Sequence, residues 1–372
     1  MTIERSLLMS HNGTPSKVTQ LIGLVTPIGP TVFRWNYATG FGSSYGYPTS
    51  GAPITSPNTM AFSPSGNTVA FTGYGNYGGP CFRVWGFNKT TGWGTQYTLP
   101  SSTIGAGYNT KVKFTPDGNY LVVSGGTFGA NCIEIYPFTE GVGIGPAISY
   151  LPNSVMTLCD FDISPDGSHL VIAGSGASNL QVYELVSGVI TGPAKTPLNV
   201  PFGLYGLYSV IFADDYIATG NYSGFVPPTT TIFAMQWNGT DFVNVSGNTV
   251  YTSTNTSAKK IAQLSIPPSQ KAIAAGLIAS YDPVIGPLSA FGISAGSLTT
   301  QYTDPTGLLS LFTDGPIGVA FSTDGKSVAI TSNTVGDPQI AVYAWNDSTG
   351  FGAKYTDISA SLVSTVYGVA FW

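Results

Sequence analysis

A short hydrophobic segment with a tight turn in its middle recurs along the whole chain, and no other feature constrains the fold as strongly. A fixed repeat determines the architecture, because each copy forms the same unit of structure. The strong copies are MAFSPSGNTVAFTG at 60–73, VKFTPDGNYLVVSG at 112–125, FDISPDGSHLVIAG at 161–174 and VAFSTDGKSVAITS at 319–332. Weaker copies are VIFADDYIATG at 210–220 and LSIPPSQKAIAAG at 264–276, and the chain ends on a seventh fragment, VAFW.

The last hydrophobic residue before each turn serves as an anchor for measuring the period. The seven anchors are Phe62, Phe114, Ile163, Phe212, Ile266, Phe321 and Phe371. Successive anchors are 52, 49, 49, 54, 55 and 50 residues apart. A period of about 50 residues with several short strands per unit is typical of β-propeller blades, whereas solenoid repeats are shorter or helical. The sequence therefore predicts an all-β fold, a seven-bladed β-propeller with four antiparallel strands in each blade.

Each repeat contains four strands, which we call A to D. Strand A ends at the anchor, a turn of Pro-Asp-Gly type follows, and strand B is a short run rich in β-branched residues. Strand C has sequences such as CFRVWGF at 81–87, and strand D follows a turn that recurs as WNDSTGFG at 345–352. Residues two before each anchor are apolar, whereas those one before it are mostly small or polar, so the two faces of strand A differ.

The two ends of the chain each hold part of a repeat. TVFRWNY at 31–37 reads as a strand C with its turn, and no strand A precedes it in the repeat phase. VYGVAFW at 366–372 is a strand A with nothing after it. Pairing the two fragments removes the open edges that they would otherwise leave. We therefore expect a single propeller domain over 18–372 whose last blade is closed by N- and C-terminal strands.

Residues 1–17 form an arm ahead of the first strand of the repeat. The arm carries Ile3, Leu7, Leu8 and Met9. Chain ends usually fray in water, so an apolar cluster on one of them predicts a place of burial. That place is either the outside of the same propeller or a neighbouring subunit or protein, in which case assembly would strengthen folding. We favour the neighbour, which allows a homo-oligomer formed through the arm.

Composition excludes several classes of function. Charged residues make up only 8% of the chain, against about 25% in an average soluble protein. The net charge of −5 at pH 7 gives no basic field, so a nucleic-acid partner is not expected. No apolar run approaches the roughly 20 residues needed to span a bilayer, so membrane insertion is not expected. Glu4 and the lack of a long apolar core argue against a cleaved secretory signal at the N-terminus.

Cys81, Cys132 and Cys159 make an odd number of cysteines, which argues against a disulfide framework and fits synthesis in a reducing cytosol. Cys81 and Cys132 occupy matching places at the start of strand C in adjacent blades. A seven-fold arrangement separates such places by more than ~10 Å. Because a disulfide requires Cα atoms within roughly 7 Å of each other, all three thiols are expected to be free.

The Ser-Pro-Asp-Gly turn between two hydrophobic strands, followed by a Val-Tyr strand and a Thr-Gly turn, resembles the WD-like and YVTN-like repeats of β-propellers. The resemblance covers nearly all of 18–372, although the His to Trp-Asp signature of true WD repeats is absent. The low-charge sequence, rich in Gly, Thr and Asn, is similar to propellers that bacteriophages encode as virion components. That resemblance implies a non-enzymatic structural or binding module of the tail, of an adhesion device or of the capsid surface, made in the host cytoplasm and located in the virion.

Residues that commonly carry catalysis are scarce. The two histidines, His11 and His169, are not paired at metal-ligand spacing. No nucleophile elbow, Cys-x-x-Cys or phosphate-loop motif occurs. Asp117, Asp166 and Asp324 recur in the A-to-B turns, where aspartate serves turn geometry. We therefore expect that the chain is not an enzyme, that it has no catalytic residues, and that it needs neither a cofactor nor a metal.

Two alternatives stay open. Seven-bladed lactonases share the Pro-Asp-Gly and Thr-Gly turns, so a lactonase-like hydrolase of small molecules is the first. Such a site needs polar and charged groups that converge on one end of the channel, whereas Arg34 and Arg83 belong to strands C, away from the axis. The second alternative is a cytosolic interaction scaffold with a cytoplasmic location.

Two groups of residues are candidate binding sites. One is a rim of aromatic side chains on the long B-to-C loops, suited to contacts with other virion proteins or with a protein or glycan of the host surface. Its members are Tyr74, Tyr77, Phe128, Tyr222, Phe225 and Tyr281. The other is an ionic cluster in the channel, because Lys111 and Lys113 on one strand A match Asp160 and Asp162 on the next. The cluster is interpreted either as a structural contact or as a site for an ion or ligand.

Overall fold

The protein is described by a computed structural model. Its described residues are 20–27, 29–48, 55–74, 80–101, 103–104, 111–125, 131–155, 157–175, 179–197, 207–221, 231–243, 250–252, 259–279, 288–294, 297–305, 318–331, 339–356, 358 and 366–372. Every regular element in these ranges is a β-strand, as the sequence predicted. The same ranges hold no helix with the length and apolarity needed to cross a bilayer. The arm at 1–17 lies outside them, so its burial and the proposed domain boundary stay predictions.

The described strands form seven antiparallel sheets, and each sheet is one blade. In chain order the first strands are β1 (Gln20–Thr26), β2 (Gly29–Asn36) and β3 (Gly40–Ser44). Blade 1 consists of β4 (Thr55–Phe62), β5 (Thr68–Tyr74), β6 (Phe82–Asn88) and β7 (Gly92–Gln96). Blade 2 consists of β8 (Val112–Phe114), β9 (Tyr120–Ser124) and β10 (Asn131–Thr139), with its outer position shared by β11 (Gly143–Ile144) and β12 (Ser149–Pro152). Blade 3 consists of β13 (Thr157–Ile163), β14 (His169–Ser175), β15 (Leu180–Val186) and β16 (Val189–Lys195).

The second half of the ring follows the same plan, with strand A innermost and strand D outermost. Blade 4 consists of β17 (Leu207–Phe212), β18 (Tyr216–Asn221), β19 (Thr231–Gln236) and β20 (Val250–Thr252). Blade 5 consists of β21 (Lys259–Ser265), β22 (Ala272–Ala279), β23 (Leu288–Ser294) and β24 (Ser297–Gln301). Blade 6 consists of β25 (Val319–Phe321), β26 (Ser327–Thr331), β27 (Ile340–Asn346) and β28 (Gly350–Lys354), and the last strand of the chain is β29 (Gly368–Phe371).

Blade 7 is built from both ends of the chain, in the order β29, β1, β2, β3. The terminal strand β29 pairs with β1, and Trp372 and Leu21 exchange backbone hydrogen bonds of 2.9 and 3.0 Å. The indole N–H of Trp372 donates to the carbonyl oxygen of Pro64 in blade 1 over 3.0 Å. The predicted closure is therefore confirmed, with β1 as the strand B that joins the two predicted fragments.

Successive blades touch all the way round, and β29 contacts both β25 of blade 6 and β4 of blade 1. Gly318 and Gly368 occupy the same place in blades 6 and 7, three residues before the anchor. A Cβ on Gly318 would lie 3.0 Å from the Cα of Gly368, and one on Gly368 would lie 2.8 Å from the carbonyl oxygen of Asn58. The absence of a side chain at both places lets the backbones of three blades approach closely where the ring closes.

The hydrophobic core lies between blades. Each blade packs a bulky apolar face of its strands against its neighbour, as the alternation along strand A predicts. Between blades 2 and 3, for example, Val122 and Ile133 form one buried cluster with Phe161 and Leu170. Because every interface of this kind needs two blades, the closing blade stabilises both of its neighbours.

The A-to-B turns repeat one hydrogen-bonded arrangement. In blade 2, the Thr115 hydroxyl and the N–H of Asn119 donate to the Asp117 carboxylate over 2.5 and 3.1 Å. Burial acts to raise the pKa of Asp117, but the hydrogen bonds from Thr115 and Asn119 outweigh it and hold the pKa below its ordinary value. Blade 1 has Ser65 in place of this aspartate, and the Glu140 carboxylate of blade 2 accepts its hydroxyl over 2.5 Å. The turn carboxylates therefore serve the turns.

Cys81 and Cys132 are buried free thiols, as expected, and the side chain of Cys159 lies outside the described part. Burial raises the pKa of the Cys81 thiol to about 12 and that of Cys132 to about 11. The thiolate is the reactive form, so both residues hold very little of it at neutral pH.

We expect Cys81 and Cys132 to resist a thiol reagent in the native protein at pH 7.5 and to react after denaturation. Time-resolved labelling with peptide mapping measures both rates. Three reactive thiols should be counted in the denatured chain without reductant. Fewer than three would contradict free thiols, and rapid native labelling of Cys81 or Cys132 would contradict their burial.

We expect deletion of residues 366–372 to lower the melting temperature by roughly 10 °C or more, because blade 7 loses its inner strand and two blade interfaces are opened. Thermal unfolding followed by circular dichroism measures this. Tyr47→Ala, which removes an aromatic side chain that is 48% exposed, is the control and should leave the melting temperature nearly unchanged. An unchanged melting temperature in the deletion variant would contradict closure by the chain ends.

Candidate functional site in the central channel

The inner strands of all seven blades enclose a cavity of about 390 Å³ on the axis of the ring. Its polar side chains are few. They are Thr59, Lys111, Lys113, Asp162, Gln263 and Ser265. Much of the remaining wall is backbone or small apolar side chains, among them Ala61, Ala320 and Ala370.

Strand A is the inner edge of each blade, so alternate backbone N–H groups point away from strand B and toward the channel. In blade 4 these are the N–H groups of Val210 and Phe212, since that of Ala213 donates to Tyr216 across the turn to strand B. A buried N–H without an acceptor costs free energy. Strand B cannot accept these hydrogen bonds, so an acceptor for them must come from a side chain or from a ligand.

Side chains of the preceding blade provide these acceptors, and we call them capping acceptors. They lie one or three residues before the anchor. The pairs are Val112 N to Thr59 Oγ1 (3.3 Å), Val210 N to Asp160 Oδ2 (2.9 Å), Phe212 N to Asp162 Oδ2 (3.0 Å), Leu264 N to Ser209 Oγ (2.9 Å), Val319 N to Gln263 Oε1 (3.1 Å) and Phe321 N to Ser265 Oγ (3.1 Å). These side-chain to backbone hydrogen bonds link blade 1 to blade 2, blade 3 to blade 4, blade 4 to blade 5 and blade 5 to blade 6.

The four charged residues predicted to form a channel cluster meet in two ion pairs. Lys111 Nζ lies 2.6 Å from Asp160 Oδ1, and Lys113 Nζ contacts Asp162 Oδ1. The two lysines stand at capping positions but cannot accept a hydrogen bond. The N–H groups that they face in blade 3 donate instead to the aspartates of blade 3 itself, over 2.9 Å to Asp160 and 2.7 Å to Asp162.

The two pairs differ in their access to the cavity. The Lys111 side chain is 15% exposed and its partner Asp160 8%, whereas the Lys113 side chain is 39% exposed. Asp162 lines the cavity and Asp160 does not. The first pair is therefore a buried link between blades, whereas the second presents the Lys113 ammonium to the channel beside the Asp162 carboxylate, which is only 7% exposed.

The polar atoms that remain available in the described channel wall are mainly donors. The oxygens of Gln263 and Ser265 accept N–H groups, which leaves the amide hydrogens and the hydroxyl hydrogen for other partners. Lys113 uses one of its three ammonium hydrogens on Asp162. Such a wall is suited to a ligand rich in acceptor oxygens, such as a carbonyl compound, a sugar or an acid.

The other sequence candidates lie elsewhere. Of the predicted aromatic rim, only the backbone of Tyr74 at the end of β5 is described, and the remaining five residues lie outside the described ranges. His169 lies edge-on to Trp237, and burial lowers the pKa of its imidazole. Within the described ranges, His, Cys, Asp and Glu side chains form no cluster of three that could hold a metal ion.

Comparison with known proteins gives a fold and its neighbours. No protein-family model matches the sequence, and no curated protein matches it closely enough to count as a relative. The structure is similar to a candidate 6-phosphogluconolactonase from Bacteroides fragilis, with a TM-score of 0.68 and 17% identity over 97% of this chain and 100% of that one. It is also similar to the periplasmic gluconolactonase of Pseudomonas aeruginosa, with a TM-score of 0.60 and 16% identity over 95% of this chain and 98% of that one. The fold is a seven-bladed β-propeller.

These neighbours overturn the expectation of a non-enzymatic virion component. They carry the names of lactonases, which favours the hydrolase alternative over a structural or tail protein and over the absence of enzymatic activity. The expectation relied on scarce charge and on Arg34 and Arg83, which do lie on strands C. It gave too little weight to Lys113 and Asp162, which the sequence had placed in the channel and which the structure finds in the wall of the cavity.

We expect Asp160→Ala to lower the free energy of unfolding by about 3–5 kcal/mol, because Lys111 would keep a buried charge without its partner. Urea denaturation measures this. Asp241→Ala is the control, since Asp241 pairs with Lys195 at 3.9 Å where both side chains are about half exposed, and it should cost less than about 1 kcal/mol. A similar small loss in Asp160→Ala would contradict a structural role for the inner pair.

Proposed function

We propose that this protein hydrolyses the lactone ring of a small hydroxylated sugar derivative in its central channel. The observation that carries the proposal is the pair of Lys113 and Asp162 at a cavity whose other available polar atoms are mainly donors. The named activities of the structural neighbours support the same chemistry on this fold. Those activities belong to the neighbours, and the residues of this channel give the proposal its mechanism.

Lys113 is suited to bind the lactone carbonyl oxygen. When water attacks the carbonyl carbon, negative charge develops on that oxygen, and a fixed donor stabilises the resulting tetrahedral intermediate. The Lys113 ammonium is held in place by Asp162 and keeps two hydrogens for a ligand. Its partial exposure puts those hydrogens within reach of the cavity.

Asp162 is suited to take the proton from the attacking water. Its carboxylate contacts Lys113 and the N–H groups of Ile163 and Phe212. A carboxylate offers about four lone-pair directions, so these three contacts leave one on Oδ2 for a proton from water. Collapse of the intermediate then breaks the bond between the carbonyl carbon and the ring oxygen, which receives the proton, and the product is an open-chain hydroxy acid.

The dimensions and the wall of the cavity fit such a substrate. A volume of about 390 Å³ falls in the usual range for small-molecule sites. Gln263 and Ser265 offer donors for hydroxyl and ring oxygens. Ala320 and Ala370 leave room for a sugar ring on the other side of the channel.

We expect Lys113→Met to lower kcat/KM for gluconolactone about 100-fold or more, the usual cost of losing a donor to the developing oxyanion. Proton release above the spontaneous hydrolysis rate measures turnover, with gluconolactone and its 6-phosphate as substrates. Lys271→Met removes an exposed lysine outside the channel wall and is the matched control, which should keep the wild-type rate.

A second variant distinguishes a loss of activity caused by unfolding from one caused by the missing catalytic groups. Lys113→Met leaves the Asp162 carboxylate without its cation, so the double variant Lys113→Met/Asp162→Asn, which removes both charges, is melted and assayed beside it. An inactive but stably folded double variant supports the proposal. Wild-type protein that does not exceed the spontaneous rate on either lactone would refute it, as would full activity in folded Lys113→Met.

A further inference from the structure

At four places on the ring of inner strands, the preceding blade has an alkyl side chain where a capping acceptor would stand. In each of the following pairs, the first residue carries the N–H group and the second is the residue of the preceding blade that faces it. The pairs are Phe62 and Ala370, Phe114 and Ala61, Ile266 and Ile211, and Phe371 and Ala320. Those of Phe62, Phe114 and Phe371 point away from strand B, because the N–H group of the next residue donates to strand B in each case. Ile266 lies two residues after Leu264, whose N–H group donates to Ser209 of the preceding blade, so it has the same orientation. Among the described residues, none accepts a hydrogen bond from these four groups.

Three of these donors stand on consecutive blades at the same level of the channel. Phe371 belongs to blade 7, Phe62 to blade 1 and Phe114 to blade 2, and all three line the central cavity. Lys113, next to Phe114, lines it as well. The cavity is therefore bordered on one side by backbone N–H groups that no described residue accepts and by an ammonium that keeps two of its hydrogens.

The opposite side of the same ring shows what such N–H groups bind. In blades 3 and 4, the channel-edge N–H groups of Val210 and Phe212 donate to the carboxylates of Asp160 and Asp162 over 2.9 and 3.0 Å. Convergent backbone N–H groups form a general binding place for anionic oxygens. Blades 7, 1 and 2 have the same donors and no carboxylate of their own to fill them.

We propose that blades 7, 1 and 2 form a binding site for the oxyanion of a small ligand, a carboxylate or a phosphate. The N–H groups of Phe371, Phe62 and Phe114 hold its oxygens, and Lys113 supplies the charge. Asp162, the acidic side chain that lines the cavity, is paired with Lys113, and the buried Asp160 is paired with Lys111. This site shares the channel with the proposed reaction but does not rest on it, because its test measures binding and not turnover.

The experiment fills the vacant capping positions. A serine one residue before the anchor caps the next blade in this very protein, where Ser265 Oγ accepts from Phe321 N over 3.1 Å. Ala370→Ser/Ala61→Ser should cap the N–H groups of Phe62 and Phe114 in the same way. The control is Ala344→Ser, the same change on strand C of blade 6, remote from the cavity wall.

Acetate and inorganic phosphate are titrated into the full chain by calorimetry, at constant ionic strength set with chloride. We expect saturable binding of at least one anion, weakened about 25-fold by the two caps, since each hydrogen bond contributes about a factor of five. Ala344→Ser should bind as the wild type does. Binding of acetate alone assigns a carboxylate ligand, and binding of phosphate alone assigns a phosphate.

Two outcomes would overturn the proposal. One is wild-type protein that binds neither anion above the chloride background. The other is a capped variant, folded with an unchanged or higher melting temperature, that binds as tightly as the control. The measured anion affinity does not depend on whether the same variants hydrolyse a lactone. The proposal of anion binding and the proposal of lactone hydrolysis can therefore be refuted independently.

Discussion

The backbone N–H groups on the inner edge of each blade determine how the blades of this ring fit together. An open sheet leaves two edges unpaired, and in a closed ring the seven inner edges face the channel instead of another strand. The chain resolves this with side chains from the preceding blade, as Asp162 does for Phe212 and Ser265 does for Phe321. Where two blades are linked in this way the acceptor comes from the earlier blade, whereas Phe161 and Ile163 donate to aspartates of their own blade. Residues in otherwise unremarkable small or polar positions thereby fix the angle between neighbouring blades.

The charged cluster follows from the same constraint. Once blade 2 has lysines at its capping positions, blade 3 loses its acceptors, and an aspartate at each matching place restores them. One oxygen of Asp160 accepts hydrogen bonds from the N–H of Phe161 in its own blade and from the Lys111 ammonium. The other oxygen accepts one from the N–H of Val210 in blade 4. Each carboxylate therefore joins three blades. Lysine at these places in one blade requires an acceptor of this kind in the next.

Much of the fold could be predicted from the sequence, because the anchors and turns repeat in a form that local chemistry fixes. Strand β1 was missed, since QLIGLVT follows no Pro-Asp-Gly turn and is recognised only through its pairing with β2 and β29. The contacts of Lys111 and Lys113 with the aspartates were foreseen from their matching places. The capping role of Ser209, Gln263 and Ser265 was not, because a single serine or glutamine beside an anchor carries no signal until the neighbouring blade's edge is known. The signal was present as polar residues one and three places before the anchors.

One of the two ion pairs has a structural role, and the other is placed for chemistry in the channel. Lys111 and Asp160 are both largely shielded from solvent, so their charges serve only to link blades. Lys113 and Asp162 lie two residues further along the same strands, both line the cavity, and the Lys113 side chain is the more exposed of the two lysines. The hydrogen bonds from Ile163 and Phe212 that cap the inner edges also prevent the Asp162 carboxylate from rotating. A polar group held this way needs little reorganisation when charge develops beside it, which is the main electrostatic advantage of an enzyme site over water. The hydrogen bonds to the inner edges of the blades thus also orient Asp162 and its partner Lys113, the two groups best placed for chemistry in the channel.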